Sequence, residues 1–225
     1  MQQTALNLIA IGVFTITFFS LIGPIFHLSP FIPATTTLVI LGLATIDTLG
    51  WESKGVTLLL DAFAPREQRQ RIIHHEAGHF LAAYLLHIPI TGYTLTAWEA
   101  FKQGKPGAGG VTFDTQVLST ATVKEMPLII DRFCTVWMAG IAAEKIIYGN
   151  TSGGAEDVQK VKAILLEAGF TGDTTQKERW SLLQATNLIQ QNEKAYHALV
   201  QAMTAKATVA ECYNSIIHNI DRQGA

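Results

Sequence analysis

Two histidines four residues apart, with a glutamate directly after the first, make up the stretch His75-Glu76-Ala77-Gly78-His79. On a helix, positions i and i+4 share one face, so both imidazoles can reach a single metal ion. Glu76 falls just off that face, where a carboxylate can take a proton from a water held in an open coordination position. This division of labour is that of zinc-dependent peptide-bond hydrolysis, with His75 and His79 as ligands and Glu76 as general base. The competing reading makes all three ordinary helix residues. The strict spacing of a rare residue type weighs against it.

A catalytic zinc needs a third protein ligand, and three carboxylates are candidates. A third histidine six residues past the motif is excluded, because Ala82 and Leu85 stand where Gly and His would be required. Glu99 lies 20 residues beyond His79 but follows a strand-like segment rather than a helical pattern. Glu144 ends the apolar run Met138-Ala139-Gly140-Ile141-Ala142-Ala143, where an unpaired carboxylate is expensive. It needs either the metal or the second ring nitrogen of a ligand histidine. Asp157 follows the turn Ser152-Gly153-Gly154 and opens an amphipathic helix carrying Val161, Ile164 and Leu165. Acidic residues are favoured in any first helical turn, so position alone does not decide for Asp157.

The motif must sit on a helix, and its surroundings agree. Pro65 stands near the first helical position and Arg66 to Arg71 form charged opening turns. After the motif, the apolar residues from Phe80 to Leu85 run out before Pro89, too short a stretch to cross a bilayer. The motif helix is therefore expected outside the membrane, unlike that of an intramembrane metalloprotease. Gly78 costs about 1 kcal/mol relative to Ala in an ordinary helix. Its expected use is close approach of a neighbouring helix behind the metal. Ile90 to Trp98 alternates enough for a strand, the Gly- and Pro-rich stretch Lys102 to Gly110 reads as a loop, and Val111-Thr112-Phe113 returns as a second short strand. A strand edge there either holds an extended peptide by backbone pairing or is a plain hairpin. From Ser119 onward helices are expected, with breaks near 148–154 and 169–174.

Apolar residues pile up at the N-terminus. Residues 5–26 contain no acidic or basic side chain and match a membrane-spanning helix in length; a second run covers about 31–49, with Asp47 near its end and Trp51 beyond. Met1-Gln2-Gln3-Thr4 carries no Lys or Arg, so an uncleaved anchor is expected rather than a signal peptide. Asp47 reads as an interfacial residue without a catalytic role. The organisation expected is a membrane anchor over 1–52, an interfacial linker over 53–65 and a zinc-peptidase domain over 66–225. Lys54, Arg66, Arg69 and Arg71 follow the second span, whereas His27 to Pro33 holds no Lys or Arg, which puts the zinc domain on the cytoplasmic or stromal side. A net charge of −2 over 225 residues gives no case for nucleic acid. Cys134 and Cys212 lack CxxC spacing, which fits a reducing compartment.

Taken together, these blocks resemble the peptidase domain of the FtsH family of membrane-bound zinc metalloproteases. The matching residues are His75 to His79, Gly110-Val111-Thr112-Phe113, Met138-Ala139-Gly140 with Ala142-Ala143-Glu144, Tyr148-Gly149, and Ser152-Gly153 through Asp157-Val158. The resemblance covers roughly Arg69 to the C-terminus. It implies a mainly α fold with a small β element beside the active site, zinc held by His75, His79 and Asp157, and Glu76 as general base. The chain departs from the family in having no GxxxxGK[ST] phosphate loop, and only about fifteen residues separate Trp51 from Arg66. It is more like the ATPase-lacking homologues of photosynthetic organisms, which implies a cyanobacterial or plastid membrane. The activity implied is ATP-independent endoproteolysis of unfolded or accessible segments, with a homo-oligomer or a separate partner ATPase left open. The rival is a non-hydrolytic membrane scaffold or subunit that keeps the fold to bind a partner, and an intact Glu76 counts against it.

Overall fold

The computed structural model describes residues 2–27, 29, 31–50, 54–105, 109–116, 118, 122 and 124–220. Trp51, Pro30, Ser119 and loop residues 106–108 lie outside them. The architecture is mainly α with apolar N-terminal helices and one two-stranded antiparallel sheet. The chain divides into two compact units, one of Met1–Gln68 with Thr96–Gly109 and the other of Arg69–Leu95 with Gly110–Ala225.

The first unit contains α1 (Gln2–Ile22), a 3-10 turn (Gly23–Phe26), α2 (Phe31–Gly50), α3 (Lys54–Ala62) and α5 (Ala97–Lys102). α1 is apolar from Ile9 to Ile22, and α2 is 20 residues with mean hydropathy 1.5 and almost no buried surface. At 1.5 Å per residue α2 extends about 30 Å, the thickness of a bilayer's hydrocarbon core. Its hydroxyls do not need water: Thr35, Thr36, Thr37, Thr45 and Thr48 each donate to the carbonyl four residues back. Asp47 has a structural task that its sequence position did not reveal. Its Oδ1 accepts the Gly55 N–H at 2.7 Å and its Oδ2 the Val56 N–H at 2.8 Å, so the last turn of α2 caps the start of α3.

The strand expected over Ile90 to Trp98 is shorter than its alternation indicated. β1 (Ile90–Thr94) stops, and the Thr96 side chain accepts the Glu99 N–H as the N-cap of α5. Trp98 and Glu99 are therefore helical, because a cap bond and an acid in the first turn favour helix over continued extension. Ala97 N–H donates to Asp61 Oδ2 at 3.0 Å, which joins α5 to α3.

The second unit holds most of α4 (Arg66–Leu85), the hairpin of β1 and β2 (Gly110–Phe113), and α6 (Met126–Tyr148), α7 (Ala155–Glu167), α8 (Thr174–Gln191), α9 (Glu193–Thr204) and α10 (Val209–Asn219). α6 is 23 residues of mean hydropathy 1.4, long and apolar enough to cross a membrane, yet 61% of that window is buried. It is the core helix of this unit. Pro127 opens it and Gly149, at φ 74°, closes it in the left-handed conformation. Phe80, Leu81, Phe133, Val136, Tyr196, Leu199, Met203 and Ile216 fill the core around it. Tyr93 of β1 donates its hydroxyl to the Ala207 carbonyl, which ties the hairpin to the C-terminal helices.

Gly78 does what its helical position implied. A Cβ there would lie 2.4 Å from the Ala139 carbonyl oxygen and 2.8 Å from the Ala143 Cβ, so α4 and α6 cross with no side chain between their backbones. Gly78→Ala is expected to destabilise the protein by about 1–3 kcal/mol despite alanine's better helix propensity. Denaturant unfolding of the purified chain in detergent checks this, and an Ala variant at least as stable as the parent would contradict the crossing.

Candidate metal centre

α4 places His75 and His79 one turn apart with ring centroids 4.7 Å from each other. The glycine turn after α6 delivers the third group. Gly154, at φ 89°, is the N-cap of α7, and Asp157 stands in that helix's first turn. Asp157 Oδ2 lies 3.0 Å from His75 Nε2 and 3.4 Å from His79 Nε2, and all three groups are buried. Their donor atoms lie within 4.8 Å of one another. Bonds of about 2.0–2.2 Å at tetrahedral angles would put such donors about 3.3–3.5 Å apart. The His79–Asp157 contact falls at that spacing and the His75–Asp157 contact about 0.3 Å below it, so the three residues could hold one metal ion.

The other ring nitrogens are fixed from behind. His75 Nδ1 donates to Glu144 Oε1 at 2.8 Å and His79 Nδ1 donates to the Val136 carbonyl at 2.7 Å. With both Nδ1 atoms bonded this way, each Nε2 is turned toward Asp157. The buried Glu144 thus has the partner its apolar setting demanded, the second ring nitrogen of a candidate ligand histidine. Its Oε2 also accepts the Ser152 N–H at 2.8 Å and lies 3.6 Å from Arg71 Nη1. Gly140 makes the room: a Cβ there would meet His75 Nε2 at 2.4 Å.

Without a metal the cluster holds a proton instead. Burial disfavours a charged His75, but hydrogen bonds to Asp157 and Glu144 outweigh it and raise its pKa to about 10. Burial works against an ionised Asp157 as well, and the electrostatic influence of His79 with the bonds to both imidazoles overcomes it, so its pKa is lowered. Glu144 is also lowered, burial being outweighed by the bonds from His75 and Ser152. A buried site with these carboxylates needs a cation, either a proton on His75 or a metal ion.

Glu76 is buried beside the histidines, and its Oε2 accepts the Val111 N–H of β2 at 2.9 Å. The small β element therefore borders the candidate base. Glu99, by contrast, belongs to the first unit, in the opening turn of α5 with its N–H on Thr96. Several contributors had no legible signal. The Val136 carbonyl and Val111 N–H are backbone groups, which residue identity does not mark, and Arg71 meets Glu144 from 73 residues away in the chain. Lys160, which bonds Asp157 Oδ1 at 3.0 Å, was findable as a basic residue three positions on in the same helix.

Comparison of the chain with protein-family models finds no match, and comparison with curated proteins finds none.

Two outcomes follow from this geometry. Glu144→Gln should weaken metal affinity about 10–100-fold, the usual cost of losing the partner that orients a ligand histidine, as read by chelator competition. The metal-free protein should respond to pH from both sides. The raised pKa of His75 contributes stability that is fully present below pH 6.5 and lost as pH rises through about 10. The lowered pKa of Asp157 contributes stability present above pH 3.8 and lost as pH falls. Melting temperature of chelator-treated protein across this range checks both limbs, and a flat profile above pH 6.5 would remove the His75 contribution.

Proposed function

We propose that the chain is a membrane-anchored zinc endopeptidase of FtsH type that works without ATP on unfolded or accessible segments. The observation that carries this reading is the convergence of His75 Nε2, His79 Nε2 and Asp157 Oδ2 on one point, with the Glu76 carboxylate on the same helix. Two imidazoles and a carboxylate, buried and anchored from behind, are a donor set suited to zinc. When bound, zinc supplies Lewis acidity toward a peptide carbonyl and lowers the pKa of a bound water.

The chain's own residues do the rest. Glu76 accepts the water's proton and returns it to the departing amine. The Val111 N–H holds Glu76 Oε2 in place for that transfer. Glu144 and the Val136 carbonyl keep both imidazoles aimed at the metal. In this reading the apolar α2 and α1 anchor the domain, and the basic residues after α2 favour the cytoplasmic or stromal side by the positive-inside rule.

The test is cleavage of an unfolded protein by the zinc-loaded chain and by Glu76→Gln. The variant should lose about 10²–10⁴-fold in rate, the range of general acid–base catalysis. Equal rates would remove Glu76 from the chemistry, and zinc binding without cleavage by either protein would favour the scaffold. Asp157→Ala should lose zinc and Glu99→Ala keep it. ATP should change nothing.

A further inference from the structure

The segment between the two strands of the hairpin is not an ordinary loop. It carries α5, and α5 shows two large aromatics to solvent: Trp98 is 54% exposed and Phe101 46%. They lie one helical turn apart and stack, with ring centroids 6.0 Å apart and planes 19° from parallel. Lys102 holds its Nζ 5.2 Å from the Trp98 ring centroid. α3, on which α5 is docked through Asp61, does the same. Val56 and Leu59 of α3 and Phe63 just past its end follow one another at spacings of three and four and are all exposed, whereas Asp61 is buried. The face of α3 left uncovered is its apolar one.

We propose that α3 and α5 together form a membrane-interface platform, with Trp98 and Phe101 seated in the headgroup region of the bilayer that α2 crosses. Continuity with α2 names the occupant. Asp47 stands three residues before the end of α2 and binds the N–H groups of Gly55 and Val56, so α3 begins within about one helical turn, 5.4 Å, of where the span ends. The Gly55 position is built for that approach, since a Cβ there would lie 2.8 Å from Asp47 Oδ1. α5 is bonded to α3 through the Ala97 N–H and Asp61 Oδ2, so it is held beside the helix that begins at the end of the span. The bilayer interface is the zone where tryptophan is enriched and lysine stems reach along apolar surface to water. A short helix pair exposing an apolar face rests about 5–10 Å into this boundary. The segment leaves β1 at Leu95 and re-enters the hairpin at Gly110, next to the Val111 whose N–H holds Glu76.

This inference rests on the reading that α2 spans the membrane, so the experiment tests the two separately. The full chain is reconstituted in vesicles of phosphatidylcholine, without bromine or with bromine on the acyl chains, close to the headgroup to probe Trp98 and near the chain ends to probe position 41. Tryptophan fluorescence of the chain is compared with that of Trp98→Phe, the difference being the Trp98 signal. Leu41→Trp in the Trp98→Phe chain reports on α2 itself. The expected result is loss of the Trp98 signal with brominated lipid and its protection from iodide in the water. Phe101→Ser should lessen both effects while leaving the Leu41→Trp signal lipid-quenched. A Trp98 signal quenched by iodide and untouched by bromine overturns the platform. Protection from both quenchers means a protein, a second copy among them, covers Trp98, and also overturns it. If the Leu41→Trp signal is itself unaffected by brominated lipid, the span fails, and the platform with it.

Discussion

Everything at the candidate metal centre depends on two helices being allowed to touch. A buried imidazole between two carboxylates is a demanding arrangement, because three polar groups must leave water together. His75 achieves it by lying against a stretch of α6 that offers no side chain at Gly140, while Gly78 lets the backbone of α4 approach the Ala139 carbonyl. These two contacts set the depth at which His75 meets Glu144. A bulkier residue at either would move the ring away from the carboxylate that holds its Nδ1.

Electrostatics then links this crossing to the turn that follows α6. Glu144 receives the Ser152 N–H as well as His75, so one carboxylate organises both a ligand and the loop that brings up Asp157. Gly154 reverses the chain at positive φ and starts α7, whose N-terminal dipole favours the acid in its first turn. The same preference that made Asp157 ambiguous in the sequence thus helps keep it ionised where it meets the histidines. A cation completes the set, and the protein meets that need with a proton when it has nothing better.

What was legible in the sequence, and what was not, divides along physical lines. His75, Glu76 and His79 were readable because a helix repeats locally, and four residues suffice to define a face. Gly78 was readable because glycine inside a helix needs a reason. Glu144 was half readable: its cost in an apolar run announced a partner without naming it. The choice among Glu99, Glu144 and Asp157 depended on contacts between residues far apart in the chain, which periodicity does not record. The strand over Ile90 to Trp98 was overextended because alternation continues through Thr96, whose hydroxyl in fact begins a helix. Asp47 was placed correctly near the end of α2, but its capping of α3 is a contact made eight and nine residues along the chain, which helical periodicity does not record. The apolar length of α6 is equally that of a span, and only its burial distinguishes the two.

The group that holds Glu76 is the Val111 N–H, a donor every amino acid but proline possesses. Side-chain variation at position 111 therefore leaves this restraint on Glu76 untouched, while the pairing of Val111 with Tyr93 does not enjoy the same freedom. A shift of the hairpin by one residue would turn that N–H away and present a carbonyl or a side chain in its place. The Glu76 carboxylate is thus held by alignment rather than by composition. Insertions and deletions in the hairpin, more than substitutions, are the changes to which this part of the site is vulnerable.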